Sequence, residues 1–140
     1  MTLAFVDSSA WIAVLMPTET HHAAARAFFR NLTGETRLVT SNLVLSETFT
    51  WLRYKSGLPL AVRFQNTVSA ARRIGQLTVV WTTEGMDASA WTMFEGYADQ
   101  AFSFCDCVSA IIARAQKVDY FFAFGSDFIT MGFDMRPRAS

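Results

Sequence analysis

Apolar positions along the chain form four short strand-like runs, and the stretches between them repeat with helical period. Leu3-Ala4-Phe5-Val6 carries no polar alternation and stops at Asp7-Ser8-Ser9. Such a run suits a strand buried on both faces, as in a parallel α/β sheet. Arg37–Thr40 and Leu77–Trp81 read as the second and third strands, and Tyr120–Phe124 as a fourth. Phe133–Met135 is expected to add a short edge strand, with Arg136-Pro137-Arg138 frayed beyond it.

The intervening segments predict helices. Ala10–Leu15 ends at Met16-Pro17, and Thr18–Leu32 follows with Gly34 just past its end. Arg26 and Arg30 share one face of it, equally suited to solvent and to phosphate. Ser41 or Asn42 caps a helix to about Ser56, stopped by Gly57. Leu60 to about Ile74 is next, after Leu58-Pro59, and Gly75 ends it. A helix from Thr82 or Thr83 to Ala98 is expected to place Trp91 and Phe94 on its inner face. The last runs from the Ser103 region to about Lys117. Strands alternating with helices in this order imply a mainly parallel sheet with helices on both faces. No repeat, low-complexity segment or boundary divides residues 1–140, which read as one domain.

Composition narrows the function classes. Hydrophobic residues make up 51% and charged residues 17%, which excludes disorder and suggests surface covered by another chain. The formal net charge is +0, so any nucleic-acid contact must be local. No apolar run approaches the ~18 residues that span a bilayer, and no signal peptide is legible. Cys105 and Cys107 stand too close in sequence for an ordinary disulfide staple, and two ligands cannot close a zinc site. Small, buried cysteines fit a reducing cytoplasm.

Four acids carry the candidate chemistry. Asp7 and Asp127 lie just past strands. At about 100° per residue, Glu47 falls between Leu43 and Trp51, inside the apolar arc of its helix, where a lone carboxylate is costly. Asp106 lies in the first turn of a helix; with Ser103 it also matches the spacing of a capping box. In a parallel α/β sheet, strand C-termini and the N-termini of the helices that follow share one edge, where ligands bind. Acids aimed at one edge repel unless a cation joins them, and hard oxygen ligands suit Mg²⁺ or Mn²⁺. The usual chemistry of such a site is phosphoester hydrolysis.

The stretches Phe5-Val6-Asp7-Ser8-Ser9, Ser41 through Glu47, and Ser103-Phe104-Cys105-Asp106-Cys107-Val108-Ser109 resemble those of PIN-domain proteins. Phe122–Phe128 followed by Gly132-Phe133 resembles the family's closing motif. In order and spacing the chain is similar to VapC ribonuclease toxins of bacterial type II toxin–antitoxin pairs. That resemblance implies a PIN-like α/β/α sandwich, with a mainly parallel sheet of four to five strands flanked by helices. It also implies a Mg²⁺- or Mn²⁺-dependent endoribonuclease, an RNA substrate, an antitoxin partner and, as often in the family, a homodimer; the cysteines place it in the cytoplasm. Asp7, Glu47 and Asp106 would then be metal-site acids and Ser8 a polar neighbour of the metal; Asp127 is the candidate for a fourth catalytic acid from outside that pattern.

One position departs from the pattern. The family usually has an acid directly after the aromatic-rich end of the fourth strand, and Gly125 stands there. Either Asp127 fills the role from two residues on, through a bound water, or it only caps the next turn. The alternative function is a weakened or inactive PIN-like module that binds RNA or a partner. A haloacid-type phosphatase would need a second Asp where Ser9 stands, and a Ser-His-Asp hydrolase would need a nucleophile elbow that is missing. There is no Gly-rich phosphate loop.

Overall fold

In the computed structural model, which describes residues 1–138, five strands form one all-parallel sheet in the order β3-β2-β1-β4-β5. The strands are β1 (Thr2–Val6), β2 (Thr36–Ser41), β3 (Leu77–Val80), β4 (Tyr120–Phe122) and β5 (Met135–Arg136). Between β1 and β2 lie α1 (Ser8–Leu15) and α2 (His22–Arg30). Between β2 and β3 lie α3 (Asn42–Lys55) and α4 (Leu58–Arg73). Helices α5 (Glu84–Gly96) and α6 (Phe104–Gln116) lead to β4, and the single turn α7 (Asp127–Thr130) to β5. The mainly parallel sheet expected from the pattern is thus parallel throughout.

The chain builds outward from β1 to β2 and β3, then returns to lay β4 on the other side of β1. That reversal is a topological switch point, where ligand crevices of open α/β sheets lie. Leu3 donates its backbone N–H to Asp119 Oδ2 and accepts the Asp119 backbone N–H on its carbonyl, both at 2.8 Å. At the opposite end, Thr40 Oγ1 donates to the Val6 carbonyl at 3.0 Å, fully buried. The second bond keeps two polar atoms satisfied inside a dry sheet, while the first ties the exposed end of β1 to the start of β4.

Core packing is aromatic around β4. Phe121 stacks on Phe128 with ring centroids 3.9 Å apart, and meets Phe5 at 5.1 Å and Phe133 at 4.8 Å. Each fully buried Phe contributes roughly 1.5–3 kcal/mol through burial. The Phe121–Phe128 stack also fixes α7, and with it Asp127.

Several elements differ from the sequence expectation. Helix α2 starts at His22, because Pro17 to His21 form turns closed by Glu19 N–H to Met16 O and His22 N–H to Glu19 O. Arg26 and Arg30 are both exposed on it. Strand β4 ends at Phe122, since the Phe124 N–H turns away to Ser9 Oγ. Phe133 gives its N–H to Phe128 O, so β5 begins at Met135 and takes in Arg136. The tail is therefore not frayed there: Arg136 and Arg138 both reach Asp134 Oδ2 at 3.2 Å. Trp91 and Phe94 are 52% and 38% exposed, not inward. Helix α5 turns Met86, Ala90, Met93 and Tyr97 to the core instead. Cys107 is buried and Cys105 half-buried, both free thiols. Among the described residues, no helix is long and apolar enough to cross a membrane.

Candidate active site

Asp7 ends the central strand and caps α1. Its Oδ2 accepts both the Ser9 N–H, at 3.1 Å, and the Ser9 hydroxyl, at 2.6 Å. Extended backbone at Asp7 makes the cap possible, and a serine two positions later completes it. The Ser9 Oγ in turn accepts the Phe124 N–H at 3.1 Å, joining the ends of β1 and β4 across the switch point. Asp7 is buried, and that burial, with Asp106 and Glu47 adding negative charge, raises its pKa to about 6 against the two Ser9 bonds.

Glu47 comes to this edge from the second turn of α3. Ser41 caps that helix by accepting the Val44 N–H. The buried stripe of α3 is Val44, Thr48 and Leu52, so Glu47 lies on its margin and is exposed. The expected burial of Glu47 is therefore not found. Leu43 and Trp51, which flank it on the wheel, are themselves only partly buried and frame an opening. Ser8 holds the carboxylate there, donating its hydroxyl to Glu47 Oε1 at 2.7 Å.

Asp106 enters from the start of α6. It forms the capping box that its spacing with Ser103 predicts: the Asp106 N–H donates to Ser103 Oγ at 2.9 Å, and Asp106 Oδ2 accepts the Ser103 N–H at 3.2 Å. The cap does not remove it from the acidic edge. Burial first, then the charges of Asp127 and Glu47, raise its pKa despite the two Ser103 bonds. Cys105 sits beside it; burial, then Glu47 and Asp7, push its thiol far up, so it stays neutral.

Asp127 is the exposed first residue of α7. Gly125, at φ +102°, turns the chain between β4 and α7 in a region that favours glycine. The structure thus brings Asp7, Ser8, Glu47 and Asp106 to one edge, with Asp127 close enough to Asp106 to act on its charge. Ion pairs among the described residues involve Asp134 alone, so none of these acids has a basic partner.

The donor set is all oxygen and uncompensated, which is the chemistry of a hard divalent site. The side chains are not closed on a point: among the described residues, no three acids, histidines or cysteines are grouped tightly enough to hold one ion. Ser8 and Ser9 hold Glu47 and Asp7 through their hydroxyls, and Ser103 holds Asp106 through its backbone N–H, so binding an ion would exchange some of these contacts for metal contacts. Sequence reasoning missed Ser9, whose only signal was its place two residues into a capped helix. His21 also carries no signal in the sequence, and its ring stacks on Phe124 with centroids 4.5 Å apart.

Comparison with known proteins bears on the fold and the family. The chain is 29% identical over 135 residues to the 23S rRNA-specific endonuclease VapC20 of Mycobacterium tuberculosis, covering 96% of this chain and 98% of that one. The crystal structure of that sarcin-ricin loop cleaving toxin superposes with a TM-score of 0.81 at 28% identity, over 94% of this chain and 96% of the other. VapBC-1 from nontypeable Haemophilus influenzae shares the fold at a TM-score of 0.66 and 12% identity, over 96% and 97% of the two chains. FitAcB from Neisseria gonorrhoeae does so at 0.67 and 12%, over 96% of each. A profile described as the PIN domain matches residues 4–134, from inside β1 to the residue before β5, so this chain belongs to the PIN-domain family.

Proposed function

We propose that this protein is a metal-dependent endoribonuclease that hydrolyses RNA phosphodiester bonds, acting in the cytoplasm as the toxin of a toxin–antitoxin pair. The observation that carries this reading is the set of uncompensated carboxylates at the switch point of the sheet, in a chain resembling an rRNA-specific endonuclease over nearly its whole length. Asp7, Glu47 and Asp106 would hold Mg²⁺ or Mn²⁺, with Asp127 completing the set from α7. Such an ion, when bound, activates water and stabilises charge on the phosphate and leaving oxygens.

The chain's own residues define the rest. Ser9 occupies Asp7 Oδ2 twice, which leaves Oδ1 without a hydrogen bond to the protein among the described residues. Below about pH 6 and without metal, Asp7 holds a proton, so acid competes with the cation for this carboxylate. Ser8 holds Glu47, and Ser103 holds Asp106.

Partner contact is part of the proposal. Tyr54, Leu58 and Val62 are 83%, 52% and 48% exposed around a cavity of about 410 Å³ between α3 and α4. Trp91 and Phe94 form a second exposed aromatic patch with Phe104. Two apolar surfaces suit an antitoxin and a second copy of the chain.

The test is cleavage of RNA with Mg²⁺ or Mn²⁺ added. Activity should vanish with EDTA and in Asp7→Asn. Cleavage that survives both would overturn the reading. Gly125 favours a second reading, a PIN-like module that binds RNA or a partner without cutting, because it puts no carboxylate just after the aromatic run Tyr120–Phe124. Calorimetric Mg²⁺ binding separates the two, since a nuclease must keep a divalent site.

A further inference from the structure

His21 sits at the N-cap of α2 yet makes no side-chain capping bond, and it is exposed. Its neighbour does the structural work: the His22 ring contacts the Ala13 carbonyl at 2.8 Å through Nδ1 and pins the turn to α1. The His21 ring instead lies on Phe124, with centroids 4.5 Å apart and planes 5° from parallel.

Phe124 is held in register with the acidic edge. Its N–H bonds Ser9 Oγ, and Ser9 Oγ bonds Asp7 Oδ2, so two hydrogen bonds connect the Phe124 backbone to the buried carboxylate. Gly125 then turns the chain to Asp127. The two rings line cavities on either side. One of about 680 Å³ includes Gly125, Met135 and Arg138; one of about 300 Å³ includes Ser9, Thr20 and Trp51. Both volumes lie within or near the range of small-ligand sites, roughly 300–1,000 Å³.

Resting on the ribonuclease reading, we propose that the His21–Phe124 stack is a platform for one unpaired nucleobase of the RNA substrate, adjacent to the cleaved phosphodiester. His21 is then a positioning residue. Unstacked bases of RNA are recognised on aromatic faces, histidine included. A two-ring stack fixed to Asp7 through Ser9 offers such a face at a set distance from the acids. Stacking acts on substrate and transition state alike, so its loss belongs in KM and not in kcat.

The experiment uses the full chain with Mg²⁺ and single-stranded oligoribonucleotides carrying 2-aminopurine at successive positions. Wild type should quench the fluorophore at one position beside the cut. His21→Ala should abolish that quenching and raise KM roughly tenfold to a hundredfold with kcat little changed. His21→Phe should restore both, and His21→Leu should restore neither. If wild type cleaves RNA but His21→Ala keeps its KM and its quenching, the platform is refuted while the nuclease stands. Rescue by His21→Leu would refute it too, since bulk alone would then suffice. If wild type neither cleaves nor binds RNA with metal present, the ribonuclease reading falls and the platform with it. Thermal melting of His21→Ala should fall by no more than a few degrees, since the ring makes no capping bond and only its stack on Phe124 is lost.

Discussion

Ser8 Oγ and Glu47 Oε1 stand 2.7 Å apart, joining the first residue of α1 to the second turn of α3. The bond leaves an exposed carboxylate in one orientation at the crevice. Ser8→Ala is expected to release Glu47 and lower RNA cleavage about 10- to 100-fold, the usual loss when a partner that orients a ligand is removed. Calorimetry should show Mg²⁺ affinity falling with it. Unchanged affinity would mean that Glu47 needs no such support.

Asp7 predicts a stability change of unusual sign. Its pKa is about 6 when folded, above its ordinary value of 3.8. The folded state therefore binds this proton more tightly than the unfolded chain. Stability from the group is greatest below pH 4 and is lost as pH rises to about 6. Above that, the ionised carboxylate costs on the order of 3 kcal/mol in the metal-free protein. Asp7→Asn keeps the capping acceptor and should raise the melting temperature several degrees at pH 7.5 without metal. The gain should shrink toward zero at pH 4. A variant less stable than wild type at pH 7.5 would contradict this account.

Asp106 does two things that can be separated. Asp106→Asn keeps an acceptor for the Ser103 N–H but removes a charge facing Asp127 and Glu47. Its fold should hold, and its cleavage rate should fall at least about a hundredfold, as when one charge-stabilising group is lost. Ser103→Ala does the converse: about 1 kcal/mol of stability is lost with the cap while the acid remains. Unfolding of Asp106→Asn would reduce the residue to a cap.

Asp127 and Gly125 make a paired test. Asp127→Asn should weaken both Mg²⁺ binding and cleavage, since its charge reaches Asp106. Gly125→Asp would restore an acid directly after the aromatic strand end, but φ there is +102°, and a side chain at such an angle costs roughly 1–3 kcal/mol. That variant should melt lower and gain no activity. A gain, with Asp127→Asn unaffected, would show that the site lacks a fourth acid.

The parallel sheet was legible because buried strands such as Leu3–Val6 read as unbroken apolar runs. Asp7, Glu47 and Asp106 were legible from strand ends and helix turns. What the sequence hid were long-range exchanges of local bonds. Nothing near Phe124 announces that Ser9, 115 positions earlier, takes its N–H and ends β4. Nothing in α5 says that its core stripe runs through Ala90 and leaves Trp91 outside. The wheel of α3 put Glu47 in the right quarter, but periodicity cannot tell a buried arc from the margin of an opening. His21 was lost with the starting point of α2, because a turn fixed by His22 and Ala13 has no helical period.

The sheet order has a consequence for how the chain comes into being. β1 is made first and pairs β2 about 34 residues later, but its other edge waits for β4, whose pairing begins with Ala4 opposite Tyr120. During synthesis Asp7, Glu47 and Asp106 are therefore all present while the wall that orients Asp7 through Ser9 and Phe124 is still missing. Closing so distant a contact is slow and comes late. The completed acidic edge is thus the last thing this chain assembles, and chains halted before residue 120 should carry Asp7, Glu47 and Asp106 without the wall that orders Asp7.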